Sequence, residues 1–276
     1  MHQHRLHLHD LYTGKALAQG GQFQVVEAGG TAKLALTDFD GVTITNPGTI
    51  SAGGIEFGTT IANETVDIYF MTDKGYCGVL KGIKAGSRRS LPVDTSRLEQ
   101  TLIIPFDATD AATDYAAGSE ISTGFILPDQ VALLPSGAGA DIVTVDATET
   151  LTVGTDSTSG TNDPDGLLVA LDTATAGIVL GAVGFSVGSN TVFVDLTGGA
   201  AEFTYGALYC ASGTRVAAGE GADVATDTGI ALLVSHIANP TAVAANKEEV
   251  TLTPSSGADT MAGFVHLPLR LPRVVQ

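Results

Sequence analysis

The chain has 276 residues, of which 13 are basic and 30 acidic, and its formal net charge is −17. Binding to nucleic acid needs clustered Lys and Arg, so this balance argues against a nucleic-acid partner. A membrane-spanning segment needs about 18 or more consecutive apolar residues, and the sequence contains no such run. Its 34 Thr and 34 Gly favour short strands joined by tight turns. We therefore expect a soluble, all-β protein.

Residues 1–95 predict a small β domain, in which short apolar runs alternate with turn residues. The predicted strands are residues 23–26, 31–36, 42–45, 55–57, 66–70 and 76–80. Up to Leu98 the chain carries nine basic and nine acidic side chains, so this part has no net charge. The polar segment 85–97, which contains Gly86 and Pro92, predicts an exposed linker to the rest of the chain.

Residues 96–276 predict a larger β-sandwich of the jelly-roll type. Residues 99–276 hold four basic and 21 acidic side chains, so they account for the whole excess of negative charge. Two short stretches, 110–117 and 165–175, predict one or two turns of helix. The predicted strands are residues 101–106, 122–127, 142–144, 150–154, 191–195, 204–210, 229–237, 249–253 and 264–267.

The most unusual cluster lies at the N-terminus and consists of His2, His4, His7 and His9. In an extended strand, residues two apart project to one face, and three copies around a threefold axis would then form a metal site. We favour an exposed N-terminal arm without metal, because chain ends are commonly disordered unless something ties them down. His236 and His266 lie in predicted apolar strands, where we expect packed and hydrogen-bonded side chains.

A second group of possible metal ligands lies between residues 156 and 165. Ca²⁺ requires six to eight oxygen ligands, and this segment offers Asp156, Asn162, Asp163 and Asp165. The regular spacing of a calcium loop is missing, so we favour an ordinary surface loop. Residues 107–114 predict a solvated turn that caps a short helix.

One motif suggests catalysis. Residues 184–188 match Gly-x-Ser-x-Gly, and Asp195 and His236 follow in the order of a hydrolase triad. That motif requires a helix after the serine, whereas the following residues alternate as a strand does. The motifs of phosphate loops, dinucleotide sites and zinc proteases are absent from the sequence. We expect neither enzymatic activity nor a cofactor.

The two cysteines, Cys77 and Cys210, are too few for a disulfide framework. We expect two half-buried free thiols. The first residues lack the apolar core of a secretory signal. Both observations fit folding in a reducing cytoplasm.

Three stretches resemble structural proteins of tailed-phage virions. They are residues 20–33 with 38–47 and 66–69, residues 104–118 with 123–128, and residues 257–268. Among virion roles, the chain is most similar to a capsid decoration or cement protein. The resemblance implies a homotrimer of β-rich subunits that binds the major capsid protein. It also implies a place on the capsid surface after synthesis in the host cytoplasm.

On this interpretation, the neutral N-terminal part docks on the shell and the acidic remainder faces solvent. The predicted capsid contacts are Arg88, Arg89 and Arg97. One alternative is a tail fibre or another tail structural protein, although the sequence has neither long repeats nor a helical shaft. Another is a carbohydrate-binding module, for which Tyr115, Tyr205 and Tyr209 are too scattered to form a binding strip.

Overall fold

The computed structural model describes residues 1–17, 20–60, 62–86, 88–108, 120–128, 131–134, 137–157, 163–180, 208–209, 215–216, 231–233, 248–255 and 260–271. Within these ranges the chain forms 21 strands and no helix. Accordingly, these residues contain no helix that would be long and apolar enough to cross a membrane. The all-β prediction is confirmed.

The first nine strands form two facing sheets, which we call the first sandwich. Sheet 1 has the strand order β4-β3-β6-β1-β9 and sheet 2 the order β5-β2-β7-β8. The strands are β1 (His2–Asp10), β2 (Gly21–Glu27), β3 (Leu36–Thr37), β4 (Thr43–Ile44), β5 (Gly48–Thr49), β6 (Gly54–Thr59), β7 (Thr65–Thr72), β8 (Cys77–Lys84) and β9 (Arg88–Val93).

The core of the first sandwich follows from the alternation of apolar side chains along its strands. Leu6 and Leu8 of β1 and Phe57 of β6 face Phe23 and Ile68 of sheet 2, and each is at most 1% exposed. The predicted strand at 31–36 is wrong for most of its length. Only Leu36 belongs to a strand there, while Lys33 forms an isolated bridge with Val26.

The prediction of an exposed linker at 85–97 is also wrong. Residues 88–93 form β9, which pairs in parallel with β1. Leu91 packs against the core of the first sandwich and Val93 is part of it. The polar residues that precede Leu91 and the proline that separates it from Val93 hid the period of two, and Pro92 is tolerated because β9 is an edge strand.

The remaining strands form a second pair of sheets, the second sandwich. Sheet 3 has the order β16-β13-β21-β12-β19-β17-β18, with β10 paired to β21, and sheet 4 the order β11-β20-β14-β15. The strands are β10 (Glu99–Asp107), β11 (Ile121–Leu127), β12 (Ala132–Leu133), β13 (Gly139–Thr144), β14 (Thr150–Ser157), β15 (Asp163–Asp172), β16 (Gly177–Leu180), β17 (Leu208–Tyr209), β18 (Arg215–Val216), β19 (Ala231–Leu233), β20 (Glu248–Pro254) and β21 (Ala262–Arg270).

A second apolar core lies between sheets 3 and 4, and includes Ile104, Phe125, Leu151 and Val265. The helical turn predicted at 165–175 is wrong, because β15 pairs with β14 as a hairpin that sets Leu171 opposite Leu151. The predicted strand 191–195 and the possible helix 110–117 lie outside the described residues. The jelly-roll topology and the division of the chain at residue 95 stay predictions.

Candidate functional site

The N-terminal histidines lie in a central strand, so the prediction of an exposed arm is wrong. β1 pairs with β6 on one side and with β9 on the other. His4 lies on the inward face with Leu6 and Leu8, whereas His7 lies on the outward, exposed face. The four predicted histidines therefore do not form one cluster.

His4 is 1% exposed and its ring stacks on Phe57, with 4.8 Å between the ring centroids. Its Nε2 lies 3.4 Å from the Thr59 hydroxyl, and its buried Nδ1 has no hydrogen-bond partner. Burial and the neighbouring His2 lower the pKa of His4 from 6.5 to about 4. His4 is thus a neutral core residue.

On the outward face, the Nδ1 of His9 lies 3.0 Å from the Ser90 hydroxyl. Among the side chains that the structure describes, no group of three or more His, Cys, Asp or Glu residues is placed to hold a metal ion. The predicted acidic loop is in part a hairpin, since Asp156 belongs to β14, and Asp163 and Asp165 to β15. Asn162 lies outside the described residues.

The structure describes two of the other residues that the sequence singled out, Cys77 and His266. Cys77 is half-buried, and burial raises the pKa of its thiol. His266 is packed as predicted, but its buried Nε2 has no hydrogen-bond partner, so the expectation of a satisfied side chain is wrong. Burial lowers the pKa of His266, against the opposing effect of Asp141.

The Gly-x-Ser-x-Gly motif, Asp195, His236 and Cys210 lie outside the described residues.

The three arginines predicted to contact the capsid lie along one edge of the first sandwich. Arg88 and Arg89 begin β9, and Arg97 follows its end. Val93 is four positions after Arg89, which is about 13 Å of extended strand. The structure therefore separates Arg97 from the other two, and their contact with a capsid stays a prediction.

Two neighbouring turns at the Arg97 end form what we call the docking tip, residues 10–14 and 94–97. They meet because β1 and β9 run in parallel and are in register at Asp10 and Val93. The Leu11 amide donates to the Val93 carbonyl at 2.9 Å. The hydroxyl groups of Tyr12 and Ser96 lie 3.0 Å apart. These contacts join the two turns directly.

Two carboxylates hold the docking tip in one conformation. Asp10 accepts hydrogen bonds from the Thr95 hydroxyl and from the Tyr12 and Thr13 amides. Hydrogen bonds from the side chain of Thr95, which has the largest effect, from Thr13 and from the Tyr12 amide lower the pKa of Asp10 from 3.8 to about 2. Asp94 accepts from the Ser96 hydroxyl at 2.6 Å and lies 3.1 Å from Nε of Arg97.

The docking tip presents side chains typical of protein interfaces. Tyr12 is 65% exposed, Leu11 is 49% exposed and the Arg97 side chain is 78% exposed. Tyr and Arg are the residues that most often dominate binding energy at interfaces. Because the turns are already ordered by Asp10 and Asp94, little conformational entropy remains to be lost on binding.

A cleft of about 340 Å³ opens beside the docking tip, between β8 and β9. Gln100 spans its rim, accepting from the Cys77 amide at 3.3 Å and donating to the Arg97 carbonyl at 2.8 Å. Its lining includes Phe70, Leu80 and Val93. The cleft thus offers a partner a recess with a mixed, mainly polar lining next to an arginine.

The edge of β9 itself is poorly suited to pairing with another strand. The Val93 carbonyl faces β1, where it accepts from Leu11, so by the period of two the peptide groups of Ser90 and Pro92 face the open edge. Pro92 has no amide hydrogen to donate there. This edge therefore favours contact through side chains over pairing of strands.

Comparison with known proteins leaves the chain without an assigned family. No protein-family model matches it, and no curated protein matches it significantly. Among solved structures, it has a weak likeness to the major pilin subunit of Bacillus cereus, at 8% identity and a TM-score of 0.18. The match covers 99% of this chain and 60% of the pilin chain. A likeness this weak supports no inference about fold or function.

Sequence reasoning found Arg97 but missed Asp10, Leu11, Tyr12 and Asp94. The signal was present, since Asp followed two or three residues later by Thr or Ser is typical of turns. The sequence does not reveal that β1 pairs in parallel with β9, and this pairing brings together turns about 80 residues apart.

Proposed function

We propose that this protein is a structural subunit that decorates and cements the capsid of a tailed phage. It would work by binding, without catalysis. The docking tip contacts the major capsid protein, and the acidic second sandwich faces away from the shell. The proposal combines the resemblance in sequence with the geometry of the first sandwich.

The observation that carries the proposal is the exposed pair Tyr12 and Arg97 on turns already fixed by hydrogen bonds. Tyr12 buries apolar ring surface, while Arg97 pairs with a carboxylate on the partner. Each contact is modest, but many copies on one shell add up to a large collective stabilisation.

The distribution of charge supports the same orientation. Residues 99–276 contribute the entire net charge of −17, whereas the first 98 residues are neutral. An acidic shell surface therefore repels the second sandwich and leaves the first free to approach. The association should weaken as salt is added, because screening acts on the exposed Arg97.

Cosedimentation of the purified chain tests this function. It should pellet with DNA-free capsids of the phage that encodes it, and the number of copies bound per capsid should reach saturation. The matched samples are isolated tails and host cell envelopes. Binding to tails alone, or to envelopes alone, would contradict the proposal and favour a tail component or a carbohydrate-binding module.

A further inference from the structure

The joint between the two sandwiches is built around β7, which is buried on both faces. Residues 66–72 of this strand are all buried. Val66, Ile68 and Phe70 belong to the core of the first sandwich. Met71 points the other way and belongs to the core of the second. Sheet 2 is therefore an inner layer, covered by sheet 1 and by the second sandwich.

The face of sheet 2 that is turned towards the second sandwich carries a buried charge. The Asp67 side chain is 3% exposed and lies 3.1 Å from Nζ of Lys81. Its carboxylate also accepts from the amides of Gly82, at 2.7 Å, and Gly29, at 3.0 Å. Burial acts to raise the pKa of Asp67, but these bonds and Lys81 outweigh it and keep the pKa low.

Lys81 connects this carboxylate to the second sandwich. Its Nζ lies 4.8 Å from the ring centroid of Tyr69 and 5.3 Å from that of Phe264, which is on β21. The two rings stack on each other with 5.7 Å between their centroids. A cation is attracted to the faces of aromatic rings. Phe264 thus completes a cluster that otherwise belongs wholly to the first sandwich.

Three further hydrogen bonds cross the joint from side chains of the first sandwich. Nε2 of the fully buried Gln24 donates to the Pro105 carbonyl at 3.0 Å. Gln22 accepts from the Ile126 amide at 3.2 Å, and the Thr31 hydroxyl donates to Asp107 at 2.8 Å. Polar side chains are costly to bury without such partners. Their arrangement therefore suits one particular orientation of the two sandwiches.

We infer that the Asp67–Lys81–Phe264 cluster fastens the two sandwiches together, so that they keep one fixed orientation in solution. The segment between β9 and β10 is then not a hinge. A load applied at the docking tip passes through β7 into the second sandwich. This inference does not depend on the identity of the partner.

The distance between two spin labels, one on each sandwich, tests the inference. Suitable positions are Val42→Cys and Ile178→Cys, which are 61% and 78% exposed, in a chain that also carries Cys77→Ser and Cys210→Ser. The parent chain should give a single narrow distance distribution. Phe264→Ala should broaden it, because the ring that Lys81 contacts on the second sandwich is lost. A broad distribution in the parent chain would overturn the inference.

Phe39→Ala is the matched control. Its ring lies 4.9 Å from the Arg5 guanidinium, a contact of the same kind that is confined to the first sandwich. This variant should keep the narrow distribution. Lys81→Met, which removes the cation and retains the aliphatic chain, should broaden it as Phe264→Ala does. Circular dichroism confirms folding of each variant, and a narrow distribution in both folded joint variants would refute the inference.

Discussion

At the scale of single residues, the first sandwich buries a histidine that must stay neutral. The His4 ring stacks on Phe57, and a proton on its unpartnered Nδ1 would be a buried charge without compensation. The histidine-rich start of the sequence suggested metal binding or disorder. Instead, the alternation of His4, Leu6 and Leu8 places this histidine in the core.

The unfolding free energy should therefore fall in mild acid. The pKa of His4 is about 4 in the folded chain and 6.5 as the ordinary value. The contribution of neutral His4 to the unfolding free energy is fully present above pH 6.5. It is lost as the pH falls from there towards 4, because in this range only the unfolded chain takes up the proton. The loss is about 3 kcal/mol. Urea unfolding at a series of pH values measures it.

His4→Phe removes the titrating group while keeping a ring against Phe57. In this variant the fall between pH 6.5 and 4 should be smaller than in the parent chain. His7→Gln, on the exposed face, should retain the parent's profile. Identical profiles for all three chains would show that His4 does not set the acid stability.

At the scale of elements, most strands of the first sandwich were predictable and their partners were not. Local alternation located β2, β6 and β7, because one face of each packs into an apolar core. β9 was missed because its inward residues, Leu91 and Val93, are separated by an exposed proline. The docking tip was missed for a related reason, since it exists only through the pairing of β9 with β1.

The start of β2 depends on a glycine. Gly21 has a φ of +91°, and an added Cβ would lie 2.2 Å from the Met71 carbonyl oxygen on β7. Gly21→Ala should lower the unfolding free energy by about 3 kcal/mol or more, since backbone strain and a backbone clash add. Denaturant unfolding gives this value directly.

Gly29→Ala is the matched substitution, because Gly29 has a φ of +77° with open space around it. In this variant, backbone strain alone should lower the unfolding free energy by about 1–2 kcal/mol. If the two variants lost the same stability, the close approach of β2 and β7 would not contribute as described.

At the scale of the whole molecule, the chain is a pair of sandwiches, and its net negative charge lies entirely in residues 99–276. The all-β class followed from composition, because abundant Thr and Gly suit strands and turns. The joint could not be foreseen, since Gln22, Gln24, Asp67 and Lys81 look like solvent-exposed strand residues in the sequence. Only the contact with the second sandwich explains why Gln24 and Asp67, which are polar, are buried on that face.

The most direct test of the account is the number of copies bound per DNA-free capsid by the double variant Tyr12→Ala, Arg97→Ala. We predict that this variant loses most of the parent's binding at equal concentration and still unfolds at the parent's temperature. Val42→Ala, at the opposite edge of sheet 1, is the control and should bind as the parent does. Binding by the double variant equal to the parent's would contradict the claim that the docking tip holds the protein to the shell.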